Sequence, residues 1–120
     1  MTLTVALLLV WIHFLADFIF QADKVALAKG KDNKVLVLHV TIYIATFIPF
    51  ALWYFTPHQA SMFLGVNWLA HFVTDYISSR LTTKLYQAGE RHWFFVVIGA
   101  DQALHFTALF LTFAWLASTP

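Results

Sequence analysis

The sequence predicts an all-α fold, a four-helix transmembrane bundle with both termini on the outer side, and three observations carry the prediction. Of 120 residues, 61% are hydrophobic and 18% aromatic while 11% are charged, against about 25% charged in an ordinary soluble domain. The apolar residues gather into four runs, each near the roughly 20 residues that cross the hydrocarbon core of a bilayer. The basic residues gather in alternate connections, as expected of loops that stay on the cytoplasmic side. Nothing in the composition divides the chain, so residues 1–120 read as a single integral membrane domain.

The first run, Leu3 to Gln21, lacks the basic start and small-residue cleavage site of a signal peptide and carries His13 and Asp17, so it reads as a mature first helix. The connection after it, Asp23 to Lys34, holds Lys24, Lys29, Lys31 and Lys34. The second run, Val35 to Phe55, contains Pro49, which is expected to kink it. It ends on Trp53 and Tyr54, an interfacial aromatic pair. The connection Thr56 to Gln59, around Pro57, has no Lys or Arg. The third run, Ala60 to Leu81, leads past Arg80 into a connection, Thr82 to Arg91, that holds Lys84, Gly89 and Arg91. The fourth, His92 to Ala117, opens on a second aromatic pair, His92 and Trp93. Gly65 and Gly99 are expected to let helices approach closely. Short links make consecutive helices antiparallel, and the positive-inside rule puts the two basic connections in the cytoplasm.

A net charge of +1 gives no reason to expect nucleic acid as a partner. The lack of Cys removes disulfides, zinc-thiolate sites and thiol catalysis together. What remains is an acidic-imidazole phrase that occurs twice, from His13 to Asp17 and from His71 to Asp75, and is inverted from Asp101 to His105. A four-residue step places both groups one turn apart on one helix face. At about 1.5 Å of rise per residue, the three His lie roughly 15 to 20 Å from the cytoplasmic ends of their helices and the three Asp about one turn nearer. The inversion on the last helix is what a common depth requires. His39 adds a candidate from the second helix, on a stripe with Tyr43 and Thr46.

Three carboxylates at mid-membrane cost about 2.5 to 3.5 kcal/mol each on insertion scales. A structural divalent metal returns on the order of 10 to 16 kcal/mol, whereas one interhelical hydrogen bond in a membrane returns well under about 2 kcal/mol. Ligation is the term large enough to offset the cost. Imidazole and carboxylate without thiolate suit Zn, Mn or Fe(II). The candidate metal ligands are His13, Asp17, His39, His71, Asp75, Asp101 and His105, enough for one or two ions. One of Asp17, Asp75 and Asp101 is then available as a catalytic general base. Asn67 and Gln21, each one turn from the phrases, are candidates to orient a substrate. Arg80 and Lys84 are candidates to offset phosphate charge. His58 and His92 fall outside the site, and Asp23, Asp32 and Glu90 read as solvated loop charges.

At the phrases HFLADFIFQ from His13, HFVTDYISSRLTTKL from His71 and HWFFVVIGADQALHF from His92, the sequence resembles a family of small integral membrane proteins of bacteria and their phages whose function is unassigned. The resemblance covers essentially the whole chain and implies a bacterial inner membrane location, cellular or phage-encoded. A looser similarity, resting on the repeated His-x-x-x-Asp spacing, is to inner-membrane proteins described as metal-dependent hydrolases. Together these readings give a membrane-embedded divalent-metal protein that hydrolyses an ester or phosphoester, with lipid as one substrate class, from the cytoplasmic leaflet. The alternative uses the same groups to conduct protons or cations, in a chain this small as a homo-oligomer. Bundle glue and an adaptor for another membrane protein are the remaining readings. Haem between His39 and His105 is set aside, because it leaves three aspartates without a role.

Overall fold

A computed structural model describes residues 1–120 and folds them as a bundle of four long helical units. Helix α1 (Leu3–Phe14) runs straight into a π-helical segment (Leu15–Ile19). A short helix α2 (Asp23–Ala28) interrupts the first connection, and three long helices follow: α3 (Asn33–Tyr54), α4 (Pro57–Gln87) and α5 (Arg91–Ala117).

The helix starts are written in capping residues. The Thr2 hydroxyl accepts from the Val5 N–H at 3.2 Å, and the Asp32 carboxylate accepts from the Lys34 N–H at 2.9 Å. Thr56 and Gln59 form a reciprocal capping box with Pro57 at the first helical position. The expected Thr56 to Gln59 connection is therefore mostly the first turn of α4. The expected Thr82 to Arg91 connection is also mostly helix, because its Thr, Lys and Gln residues are polar without breaking a helix. It shortens to Ala88–Glu90, where Gly89 turns the chain at φ 73°. With 31 residues, α4 is about 46 Å long at 1.5 Å per residue.

Helix α3 continues without interruption through Pro49, which deprives only the Ala45 carbonyl of its helical donor. Gly65 and Gly99 do not mediate close approach, since a Cβ at either would meet open space. The close approach is at Gly30. There a Cβ would lie 2.7 Å from the Ser79 carbonyl oxygen and 2.8 Å from Thr83 Oγ1, so the first connection rests directly on α4.

The C-terminal end meets the start of α4 at the α3–α4 link. Gln59 Nε2 donates to the Leu116 carbonyl at 3.3 Å and to Thr119 Oγ1 at 3.1 Å. The half of the bundle behind this end is filled by Val5, Leu9, Phe47, Phe50, Phe55, Phe63, Leu109, Phe113 and Leu116, each at most 7% exposed. The rings interlock, with centroids 5.4 Å apart for Phe55 and Phe63 and 5.5 Å for Phe55 and Phe113. The lysine-bearing first connection and the Ala88–Glu90 turn lie at the other end. Between the apolar half and that end sits a buried polar layer, while large apolar side chains left exposed on the outside outnumber the buried apolar ones roughly two to one.

Candidate metal centre

Each long helix contributes to the polar layer through its buried stripe. On α4 the stripe is Ala60, Phe63, Asn67, His71, Asp75 and Ser79, steps of three or four residues that keep one helix face inward. Helix α3 supplies His39 and Tyr43, α5 supplies His105, and α1 supplies His13. Asp17 comes from the π-helical segment, closed by the Phe20 N–H donating to the Leu15 carbonyl at 2.8 Å. In an α-helix each four-residue step advances about 40° around the axis, so His13, Asp17 and Gln21 would spiral away from one another. The wider π turn offsets that drift, a device recurrent at functional sites.

Four ligand atoms meet at one point. His39 Nε2 lies 2.9 Å from Asp17 Oδ1, 3.2 Å from His71 Nε2 and 3.2 Å from Asp75 Oδ2. His71 Nε2 lies 3.6 Å from Asp17 Oδ1 and 3.3 Å from Asp75 Oδ2. A tetrahedral ion about 2.0 to 2.2 Å from each ligand separates those ligands by about 3.3 to 3.6 Å. The two spacings from His71 to the carboxylates fall in that range, and the three at His39 fall slightly short of it. Asp17 Oδ1 has no aligned donor despite its short approach to His39, so hydrogen bonding alone does not explain the convergence.

A second group, Asp17, Asp101 and His105, shares Asp17 with the first. His105 Nε2 is 3.0 Å from Asp75 Oδ1, 3.1 Å from Asp101 Oδ2 and 4.0 Å from Asp17 Oδ2. Asp17, Asp101 and His105 are spaced to hold an ion of their own. Asp17 thus turns one carboxylate oxygen toward each group, and Asp75 ties them by turning Oδ2 to His39 and Oδ1 to His105. The His71 and His105 rings stack at 4.0 Å, and Tyr43 lies against His71 at 3.8 Å. His71 Nδ1 is buried without a partner.

The surrounding hydrogen bonds orient these groups. His13 Nε2 meets Gln102 Oε1 at 2.7 Å and its Nδ1 meets the Tyr43 hydroxyl at 2.9 Å. Because an amide oxygen only accepts, Nε2–H donates to Gln102 and Nδ1 accepts from Tyr43. Gln102 Nε2 then donates to Asp101 Oδ2 at 3.1 Å and to Asp17 Oδ2 at 3.4 Å. Lys29 Nζ donates to Asp75 Oδ2 at 3.0 Å, and Ser78 Oγ donates to Asp101 Oδ1 at 2.5 Å.

All seven residues singled out as ligands therefore lie in one layer. His13 differs from the rest in having both ring nitrogens engaged, by Tyr43 and Gln102, which makes it a support for the carboxylates. The two Asp-rich groups open into a cavity of about 660 Å³, lined on its polar side by Gln21, Lys29, Lys31 and Ser78. Gln21 Oε1 is buried there without a donor. The other three substrate candidates are elsewhere. Asn67 donates to the Phe63 carbonyl of its own helix at 2.9 Å. The Arg80 guanidinium sits 3.7 Å above the Tyr76 ring and bonds Asn33, and Lys84 is exposed. Neither cation lines the cavity; Lys29 and Lys31 do. Thr46 bonds back to the Ile42 carbonyl and leaves the His39 stripe. Sequence reasoning missed Lys29, Gln102 and the hydroxyl of Tyr43. Gln102, an amide beside Asp101 within an apolar run, was the one with a signal. Lys29 looks no different from its loop neighbours.

No significant similarity links the chain to a curated protein or to a solved structure. A family model described as "Protein of unknown function (DUF3307)" matches residues 3–119. The chain belongs to the DUF3307 family.

Proposed function

We propose that this protein is a membrane-embedded, divalent-metal-dependent hydrolase of esters or phosphoesters. Its metal site is the layer formed by Asp17, His39, His71, Asp75, Asp101 and His105, and the site is reached from the lysine-bearing, cytoplasmic end. The observation that carries the reading is the convergence of buried ligand atoms of Asp17, His39, His71 and Asp75, all within 4.8 Å of one another. A divalent ion held there supplies Lewis acidity and an activated water. The protein supplies carboxylates to take up a proton, the Tyr43–His13–Gln102 chain to hold them in place, and a cavity that brings substrate to the ion.

Membrane residence is supported by the inverted surface, with apolar side chains outside and ionisable ones inside. Two helices are also apolar enough to span, α3 with mean hydropathy 2.2 and α5 with 1.6. The aromatic half of the bundle favours hydrolysis over conduction. It closes the layer toward the chain ends, so a conducted ion would have to cross a packed cluster of Phe rings. The deciding experiment is elemental analysis of detergent-purified protein. Near-stoichiometric Zn, Mn or Fe, lost on chelation, is expected, and a well-folded preparation that neither carries nor takes up metal overturns the reading.

A further inference from the structure

We propose that the cavity beside the metal centre binds a phosphate monoester carried on an amphiphile. Its dianionic head would lie among Lys29, Lys31 and a pair of metal ions, and its apolar part against Phe18, Leu27, Phe94 and Ile98. The inference rests on the metal-centre reading and deepens it. Charge decides the head group. Ligating imidazoles are neutral, so three carboxylates and the Lys29 ammonium leave the layer with two negative charges. One divalent ion balances them. The second group, Asp17, Asp101 and His105, would provide for another, and two ions would leave two positive charges in surroundings that screen them poorly. A phosphate dianion restores neutrality, whereas a carboxylate ester or a neutral diglyceride does not.

Lys29 links metal to anion. Its ammonium is held by Asp75 Oδ2, one of the four atoms of the first group. An ion on that oxygen repels the ammonium, and the other surface within reach of Lys29 is the cavity that it lines. Gln21 Oε1, a buried acceptor without a donor, suits a hydroxyl next to the phosphate. The opposite wall is apolar and runs onto the outer surface of the bundle, with Phe18 48% and Leu27 76% exposed. A volume of about 660 Å³ takes a head group and the first part of a chain, and leaves the remainder in lipid.

The test is native mass spectrometry of the full chain in detergent, with and without added Mn2+. The probes are dihexanoyl phosphatidic acid, dihexanoylglycerol and inorganic phosphate, and bound metal is counted in the same spectra. Phosphatidic acid is expected to be retained by metal-loaded protein and at least tenfold less by metal-free protein and by Lys29→Met, with dihexanoylglycerol not retained. Lys31→Met, at an exposed rim position, serves if Lys29→Met does not fold. Equal retention of dihexanoylglycerol, or unchanged retention in both Lys variants, overturns the proposal. Inorganic phosphate binding as tightly as phosphatidic acid overturns its amphiphile half. Protein that holds two ions yet ignores phosphatidic acid sinks this inference alone, whereas protein that holds none sinks the metal centre as well.

Discussion

Asp75 is the most connected group in the polar layer, and replacing it by Asn tests the metal centre at nearly constant volume. One carboxylate oxygen faces His39, His71 and Lys29 at 3.2, 3.3 and 3.0 Å, and the other faces His105 at 3.0 Å. If four ligands share the roughly 10 to 16 kcal/mol of a structural divalent site, each accounts for about 2.5 to 4 kcal/mol. At about 1.4 kcal/mol per factor of ten, Asp75→Asn should weaken metal binding by about 10²- to 10³-fold. The fold should survive the change. The freed Lys29 side chain is already 16% exposed and retreats into the cavity instead of remaining as an unpaired buried charge. The assay is competition against a chelator of known affinity in detergent, with circular dichroism to confirm helix content. A metal affinity within about threefold of the parent protein, with unchanged helix content, would refute the ligand assignment.

Four further outcomes follow from the geometry. Gln102→Leu removes the donor shared by Asp17 and Asp101 and strands His13 Nε2, so metal affinity should fall by about 10- to 100-fold, the usual size of an outer-shell loss; the same competition assay reads it. Tyr43→Phe removes only the bond to His13 Nδ1 and should cost about 1 kcal/mol of stability, with a smaller effect on metal, read by thermal unfolding and metal titration. Gly30→Ala drives a methyl into the Ser79 carbonyl and should cost about 1 to 3 kcal/mol, lowering Tm, whereas Gly99→Ala, facing open space, should leave Tm level or raise it. Because the chain has no native Cys, single substitutions report sidedness cleanly. An impermeant maleimide should label Ser118→Cys from outside the cell and Lys24→Cys only after permeabilisation, and the reverse pattern would invert the orientation.

The candidate layer was legible because its members repeat at a four-residue step and are expensive to bury, so His71 and Asp75 stand out from the Phe and Val beside them. The four long helices were legible from the length of the apolar runs. Helix ends were not. Polar residues such as Thr82, Thr83 and Lys84 read as a connection, yet none of them breaks a helix and α4 runs through them to Gln87. The short helix α2 was hidden for the same reason. Gly65 and Gly99 misled because a glycine within an apolar run carries no sign of which way its face turns. Gly30, in a polar loop, was the one pressed against a neighbour. Lys29 and Gln102 depended on pairings across 46 and 85 residues of sequence, which no local pattern encodes.

The π turn at Leu15–Ile19 makes this protein unusually sensitive to length at one spot. Upstream, Val5, Leu9 and His13 face inward; downstream, Asp17 and Gln21 still do, while Phe20 is pushed out to 53% exposure. Inserting a single amino acid between the two stretches, beyond the one the wider turn already absorbs, would swing everything after it by about 100°. Phe20 would then rotate toward the ions and the acid away from them. An insertion at this point in a homologue should therefore accompany a rearranged or lost carboxylate, which makes the spacing itself, rather than any one letter, the mark of an intact centre.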